Sequence, residues 1–306
     1  MRAIIRSKHS FPAKLKLENI NKPYPTDDEI LIKLYSATVT SGDNSLRKLN
    51  LIQFLIMVPV ARLVFGVKNM RKRILGHEFA GVVEHVGRDV KKFKAGDQVF
   101  GTTGFKGGAH ADYVCLKEDG VICTKPNNLT MDEAAAVPIG SICALIFLKK
   151  GNIQSGQKVL IYGASGSIGT YAVQLARYFG ADVTGGCSAK NKKLVEELGA
   201  HKVIDYEKTD FTKSENKYDL IFDTVGKCSQ FDCKKVLNKN GRFLSTHTSP
   251  VREHVSDLEF VKELIEGNYI KPVIDRTFTL ENFMEAYQCV DSGHKKGNVV
   301  LKINDQ

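Results

Sequence analysis

A glycine-rich stretch that follows a short apolar run is the most specific chemical feature of the sequence. Lys158–Tyr162 has the pattern of a buried β-strand, and the seven residues GASGSIG follow it directly. Gly166 would let its backbone approach a phosphate, and Gly169 would let the next helix pack closely against a sheet. The N-terminus of that helix would add free N–H groups and a partial positive charge. The stretch therefore predicts a site for the pyrophosphate of a dinucleotide. Its candidate residues are Gly163, Ala164, Ser165, Gly166, Ser167, Ile168 and Gly169.

The residues after the next predicted strand indicate which dinucleotide is bound. Sites specific for NAD commonly place an Asp or Glu there for the ribose 2′-hydroxyl. This sequence instead has Ser188, and lysines follow at 190, 192 and 193. An acid would repel a 2′-phosphate, whereas a serine and a lysine could bind it. We therefore expect NADP(H) to be preferred, with NAD(H) as the alternative cofactor. The lysines could also be a solvated start of a helix.

The elements that must position this loop follow from periodicity in the second half of the chain. From residue 157 onward, strand and helix patterns alternate, which is typical of parallel strands with right-handed helical crossovers in a doubly wound sheet. The predicted strands are 158–162, 181–184, 202–204, 220–222 and 241–245, and the predicted helices are 168–179, 190–198 and 251–266.

The first part of the chain has a different pattern, with many short strands separated by glycine turns. This pattern predicts a barrel-like β domain. Strand character returns from Pro272, and the last segment is expected to rejoin the first domain. The predicted strands are 2–7, 29–35, 81–87, 111–116 and 299–303. Residues 94–100 are predicted to form a turn that leads into a strand, and a helix opens at Thr130. We expect a β-rich domain from residues 1–124 and 272–306, and a dinucleotide-binding domain from 125–271.

Taken in order along the chain, the motifs resemble those of the medium-chain dehydrogenase/reductase superfamily, in its zinc-free, quinone oxidoreductase-like branch. The resemblance covers nearly the whole chain. The motifs are 76–83 (GHEFAGVV), 90–101 (VKKFKAGDQVFG), 134–138 (AAAVP), 163–169 (GASGSIG), 172–176 (AVQLA), 198–200 (LGA), 203–206 (VIDY), 222–226 (FDTVG) and 297–301 (GNVVL).

The resemblance implies an α/β fold, with a GroES-like catalytic domain and a central Rossmann domain. It also implies a cleft between the two domains and a homodimer. Relatives in this superfamily are often called zinc-binding dehydrogenase or NAD(P)-dependent alcohol dehydrogenase. Together with the motifs above, it adds further candidate cofactor contacts. These are Val137, Ser188, Asn191, Lys192, Tyr206, Thr224, Val225 and Asn298.

The reaction that the resemblance implies depends on whether the site can bind zinc. Zinc alcohol dehydrogenases of the superfamily hold the metal with two cysteines and the histidine of Gly-His-Glu. Here His77 and Glu78 are kept, but the cysteine positions correspond to Thr40 and Ile139. A structural zinc lobe with four cysteines is also missing between Gly87 and Cys115. One imidazole and one carboxylate fall short of the three ligands that zinc needs, so we expect no zinc.

Without a Lewis acid, a simple ketone is hard to reduce, because the developing alkoxide needs stabilisation. A quinone or an α,β-unsaturated carbonyl is easier, since charge spreads onto an oxygen that hydroxyl donors can stabilise. Thr40 and Ser41 are the candidate donors, Asp43 is the residue that would orient them, and His77 is a hydrogen-bonded residue of the same site. Ser45 replaces the tyrosine that many family members carry, which leaves the proton donor open. Thr40 could instead be a buried strand-end hydroxyl bonded to its own backbone.

The sequence therefore predicts an NADPH-dependent reductase of small quinones or enones. A zinc-dependent alcohol dehydrogenase is the alternative enzyme. A dinucleotide-binding protein without catalysis is the other alternative, and it could bind RNA or a membrane surface through the basic residues 68–73.

The amino-acid composition limits which other classes of protein the chain could belong to. With 42% hydrophobic and 25% charged residues, the chain is expected to fold rather than be disordered. The net charge of +10 is explained in part by an anionic cofactor, so we expect no nucleic acid partner. Seven cysteines without a Cys-x-x-Cys pair favour a reducing, cytoplasmic location. The apolar residues 51–67 are interrupted and shorter than the roughly 20 that a membrane span needs, and they predict one or two short helices near the site.

Overall fold

The computed structural model describes residues 1–7, 14–48, 74–248 and 251–305. The chain divides into two units. One contains Met1–Pro138 and Ile274–Gln306, and the other contains Ile139–Val273. None of the helices in the described ranges is long and apolar enough to cross a membrane. The apolar segment 51–67 and the basic segment 68–73 lie outside the described residues.

The elements alternate in type along the second unit and are mostly strands in the first. In chain order, the strands are β1 (Arg2–Arg6), β2 (Leu15–Asn19), β3 (Glu29–Val39), β4 (Glu78–Val86), β5 (Gln98–Thr102), β6 (Tyr113–Lys117), β7 (Ile122–Thr124), β8 (Lys158–Tyr162), β9 (Asp182–Cys187), β10 (Lys202–Asp205), β11 (Tyr218–Asp223), β12 (Leu237–Ser245), β13 (Ile274–Thr279) and β14 (Asn298–Lys302). The described helices are α1 (Ser41–Lys48), α2 (Met131–Ala135), α3 (Pro138–Lys150), α4 (Ser167–Tyr178), α5 (Lys192–Glu197), α6 (Gln230–Cys233), α7 (Val255–Glu266) and α8 (Phe283–Asp291).

In the first unit, strands from both ends of the chain make one sheet. Its order is β13-β14-β3-β4-β5-β7, with β6 also paired to β3, and every pair except β13 with β14 is antiparallel. Strand β3 was predicted to end at Tyr35 but continues to Val39, which lies opposite Val299 of β14. The returning C-terminal segment thus extends β3 up to the candidate catalytic residue Thr40.

The second unit contains the predicted doubly wound sheet. Five parallel strands lie in the order β10-β9-β8-β11-β12, which confirms the α/β class and the Rossmann-type topology. Strand β9 was predicted to end at Thr184 but continues through Gly185 to Cys187. A Cβ on Gly185 would lie 2.4 Å from Cγ1 of Val195, so the glycine lets α5 pack directly on the strand.

Two helices of the second unit begin later than predicted. The stretch expected to open a helix at Lys190 begins with a 3-10 turn, Ala189–Asn191, and α5 follows it. Helix α7 begins at Val255 rather than at Val251. Residues 246–248 and 251–254 lie outside helices and strands, so β12 is an edge of the sheet within the part of the chain that is described.

Candidate active site

Asp43 is a completely buried carboxylate that accepts four hydrogen bonds. Its Oδ2 accepts from the backbone N–H of Thr40 at 2.9 Å and from the Thr40 hydroxyl at 2.6 Å. Its Oδ1 accepts from the backbone N–H of Gly76 at 2.8 Å and lies 2.8 Å from Nδ1 of His77. The structure therefore brings together three of the four predicted catalytic residues.

Thr40 and Asp43 also form a reciprocal cap at the start of α1. The Thr40 hydroxyl accepts from the backbone N–H of Asp43 at 3.1 Å, while the carboxylate accepts from the backbone N–H of Thr40. This is the arrangement of a capping box, with an aspartate in place of the usual glutamate. The Thr40 proton is directed to Asp43, so its observed contacts are those of a residue that holds the carboxylate. Ser41 is the first residue of α1 and is exposed.

The charge of Asp43 is maintained by its surroundings. Burial by itself would raise the pKa of the Asp43 carboxyl, but the hydrogen bonds from His77 and Thr40 hold it well below its usual range. Because the ionised carboxylate can only accept, Nδ1 of His77 carries the proton that points to it. The pair therefore fixes both the tautomer and the orientation of the His77 ring.

Two buried residues behind this pair were missed by the sequence analysis. His110 donates from Nε2 to the carbonyl oxygen of Thr38 at 2.9 Å, and its Nδ1 accepts from the hydroxyl of Tyr287 at 3.1 Å. Burial lowers the pKa of His110, which keeps the imidazole neutral as these two bonds require. A Cβ on Gly76 would lie 2.4 Å from Cδ2 of His110, so His110 packs directly against the residue before His77.

The C-terminal helix α8 holds α1 in place through Asp291. This carboxylate contacts the guanidinium of Arg47 at 2.6 Å, the ammonium of Lys48 at 2.5 Å and the side-chain amide of Asn44 at 2.5 Å. Asp43 on α1 is therefore positioned in part by a segment almost 250 residues away in sequence.

The predicted phosphate loop lies between β8 and α4 in the second unit. Gly163 has a φ of +81°, and a Cβ there would lie 2.6 Å from the Thr224 hydroxyl oxygen. A Cβ on Gly169 would lie 2.1 Å from the carbonyl oxygen of Gly163. A Cβ on Gly166, the N-cap of α4, meets only that same carbonyl oxygen, at 3.4 Å. The fold therefore requires Gly163 and Gly169, whereas a Cβ on Gly166 would be tolerated by the protein itself.

Three of the predicted ribose and 2′-phosphate contacts come together after β9. The amide of Asn191 donates to the Ser165 hydroxyl at 3.0 Å and to the Ser188 hydroxyl at 3.3 Å. Tyr206 also interacts with Ser188. Ser188 and Asn191 are buried, and Lys192 is exposed and 3.7 Å from Glu196. Asn191 therefore connects the loop after β9 to the glycine loop. Lys192 contacts Glu196 of its own helix and not this group of residues.

The end of β11 completes this edge of the sheet. The Thr224 hydroxyl donates to the carbonyl oxygens of Tyr162 and Gly163, and Val225 is partly exposed. A cavity of about 600 Å³ opens nearby, and Tyr162 and Tyr206 are among its walls. Of the other predicted contacts, Ala164 is buried in the second unit, and Val137 and Asn298 are buried residues of the first unit.

Sequence comparisons place this geometry in a family. The profile of the alcohol dehydrogenase GroES-like domain matches residues 26–127, and two profiles described as zinc-binding dehydrogenase match residues 167–263 and 246–301. A 2-methylene-furan-3-one reductase of Solanum lycopersicum is 31% identical over 94% of this chain and 75% of that protein. The chain belongs to the medium-chain dehydrogenase/reductase superfamily. The predicted resemblance is thereby confirmed, and the protein is an oxidoreductase.

Other relatives of this medium-chain dehydrogenase/reductase have related names. A chloroplastic NADPH-dependent alkenal/one oxidoreductase of Arabidopsis thaliana is 29% identical over 98% of this chain and 79% of that protein. The solved quinone oxidoreductase of Coxiella burnetii is 26% identical, with a TM-score of 0.87 over 99% of each chain. The cytoplasmic location and the homodimer stay predictions.

The description "zinc-binding dehydrogenase" raises the question of whether this medium-chain dehydrogenase/reductase has residues for zinc. His77 is held by Asp43, and Glu78 accepts from the Thr38 hydroxyl. In residues 1–7, 14–48, 74–248 and 251–305, no group of three or more His, Cys, Asp or Glu side chains could hold a metal ion. The donor set of the described residues therefore does not fit a zinc site.

Proposed function

We propose that the protein reduces quinones or α,β-unsaturated carbonyls with NADPH and without a metal. The observation that carries this proposal is the buried Asp43 carboxylate that orients His77 at the end of β3. When His77 is protonated, its Nε2–H can donate a hydrogen bond to a substrate oxygen while its Nδ1–H stays on Asp43, which is the stabilisation that a conjugated carbonyl requires. The names of the tomato and Arabidopsis relatives support the same substrate class.

The residues after β8 and β9 would hold the cofactor. The N-terminus of α4 and the open side of Gly166 suit a pyrophosphate, because the N-cap glycine has no side chain to occupy the free N–H groups. Ser188, Asn191 and Tyr206 would surround the ribose and its 2′-phosphate. When bound, the reduced nicotinamide supplies a hydride to the conjugated carbon.

The chain's own catalytic contribution lies in the first unit. Asp43 holds the Nδ1–H of His77, and Thr40 holds Asp43. In its protonated form, His77 would then donate from Nε2–H to the carbonyl oxygen as negative charge develops there. One such donor is worth about 2.7–4 kcal/mol of barrier in well-studied oxyanion sites. Ser41, exposed at the start of α1, is the second candidate donor.

Oxidation of NADPH in the presence of a substrate panel tests the proposal. The panel contains quinones and α,β-unsaturated ketones and aldehydes. Saturated alcohols are tested separately with NADP⁺, because their oxidation is the reaction of an alcohol dehydrogenase. We expect turnover of the first two classes, no loss of activity after chelator treatment, and a strong loss in His77→Gln. His85→Gln, at an exposed histidine of the same unit, is the matched control. Alcohol oxidation that requires a stoichiometric metal would contradict the proposal.

A further inference from the structure

The side chains of Cys228 and Cys233 lie close together just after β11. Both are free cysteines, and both pack in the apolar cluster that contains Ile221 and Val236. Cys233 is fully buried, whereas Cys228 is half-buried. The pair therefore has one sulfur that small molecules can reach and a second one directly behind it.

Local backbone structure explains why the two sulfurs meet. Ser229 caps α6, since its hydroxyl accepts from the backbone N–H of Asp232 at 3.3 Å. Cys228 thus precedes the N-cap, and Cys233 is the fourth residue of the helix. Side chains at these two positions pack against each other in the hydrophobic staple. The contact depends on a capped turn and a short helix and not on a distant part of the chain.

The accessible sulfur lies at an edge of the sheet that carries proposed cofactor contacts. Cys228 is among the residues that line the cavity of about 600 Å³. Its backbone N–H donates to Oδ2 of Asp223 at 2.8 Å, and the same carboxylate accepts from the N–H groups of Val225 and Gly226 at 3.0 and 2.9 Å. A covalent change at Cys228 therefore acts on the turn that holds Val225.

We propose that Cys228 and Cys233 form a reversible disulfide by exchange with a low-molecular-weight disulfide such as glutathione disulfide. The Cys228 thiolate attacks one sulfur of the reagent, which forms a mixed disulfide and releases one thiol. Cys233 then attacks the Cys228 sulfur, closes the protein disulfide and releases the second thiol. The protein loses two electrons and two protons, and the reagent is reduced to two thiols. Closing the pair to an S–S bond of ~2.0 Å draws Cys228 toward α6 and displaces the turn after Asp223.

The environment makes this exchange slow at neutral pH. The interaction with Cys233, burial and the charge of Asp223 all raise the pKa of Cys228. Because the thiolate is the nucleophile, the rate of exchange is expected to rise as the pH is raised from neutral toward alkaline values.

Peptide mapping tests the disulfide directly, because trypsin cleavage after Lys227 and Lys234 leaves both cysteines in one peptide. After incubation with glutathione disulfide, this peptide should lose two hydrogens and regain them with a reductant. Cys233→Ser should instead retain a glutathione adduct on Cys228, and Cys228→Ser should stay unmodified in this peptide. Cys115→Ser, at another half-buried cysteine, is the matched control and should behave like the wild type. A stable adduct on Cys228 of the wild type, or an unmodified peptide at alkaline pH, would overturn the proposal.

The consequence for cofactor binding rests on the proposed function. We expect the oxidised protein to bind NADPH roughly tenfold more weakly than the reduced protein, which corresponds to ~1.4 kcal/mol. Calorimetry on both forms measures this change. Equal affinities would refute the regulatory consequence. Failure of the reduced protein to bind NADPH would instead refute the proposed cofactor site, while mass spectrometry would still report the disulfide.

Discussion

Oδ1 of Asp43 lies 2.8 Å from Nδ1 of His77, and the same oxygen accepts the backbone N–H of Gly76. A single carboxylate therefore fixes the imidazole and the backbone just before it. Asp43→Asn should lower the rate of enone reduction by roughly 10²–10³-fold, because the neutral amide no longer stabilises a protonated His77 and has one acceptor oxygen where the carboxylate has two. NADPH affinity should stay unchanged. Single-turnover kinetics measures the rate, and Asp27→Asn, at an exposed carboxylate of the same unit, is the control. An unchanged rate would show that Asp43 has no role in catalysis.

The stability of the protein should depend on pH through Asp43. Its pKa in the folded protein is held below the value of about 3.9 expected in the unfolded chain. A depressed folded-state pKa gives stability that is fully present above the unfolded value and is lost as the pH falls toward the folded value. The difference in free energy of unfolding between the wild type and Asp43→Asn should thus shrink below about pH 4. Urea denaturation between neutral and acidic pH measures it. A difference that stays constant would contradict the assignment.

Thr40→Val should affect both stability and catalysis. The valine lacks the hydroxyl that caps α1 and donates to Asp43, so we expect a loss of about 0.5–2 kcal/mol of unfolding free energy. The rate of the chemical step should also fall, while NADPH affinity should barely change. Thr40→Ser keeps the hydroxyl and should restore both properties. Thr40→Val should be tested with an enone that the wild type reduces. If the variant kept the full single-turnover rate, Thr40 would have only a capping role.

The glycines of the phosphate loop should separate into two kinds. Gly166→Val should abolish NADPH binding with little change in melting temperature, because its side chain would fill space that the protein itself leaves open. Gly169→Ala should lower the melting temperature, since its Cβ would lie 2.1 Å from the Gly163 carbonyl oxygen. Calorimetric titration and thermal unfolding measure the two effects. Normal NADPH binding by Gly166→Val would exclude close approach of the pyrophosphate at this residue.

Cofactor preference should depend on Ser188. Ser188→Asp places a negative charge beside Asn191 and Tyr206, where the 2′-phosphate is proposed to bind. NADPH should then bind at least about tenfold more weakly, whereas NADH affinity should be retained or improved. Ser256→Asp, at an exposed serine of α7 in the same unit, is the matched control for added charge. Tighter binding of NADH than of NADPH by the wild type would refute the predicted preference.

The sequence was enough to predict the family, the Rossmann sheet and the glycine loop, because each depends on residues that are neighbours along the chain. The run 158–169 contains its strand, its turn and its helix start within a dozen positions. Boundaries were less well determined where packing extends an element. Strand β3 gains four residues through pairing with β14, and β9 continues through glycines whose usual strand preference is weak.

The tertiary structure alone decided how the candidate catalytic residues contact one another. Asp43 and His77 are 34 positions apart, and His110 and Tyr287 are 177 apart. No local pattern marks Tyr287, which lies among the buried residues of α8. These contacts exist because antiparallel pairing brings β14 and the preceding helix beside the end of β3. A spacing pattern can predict which side chains share an element, but only the packing of distant strands determines that a hydroxyl, a carboxylate and an imidazole meet in one buried place.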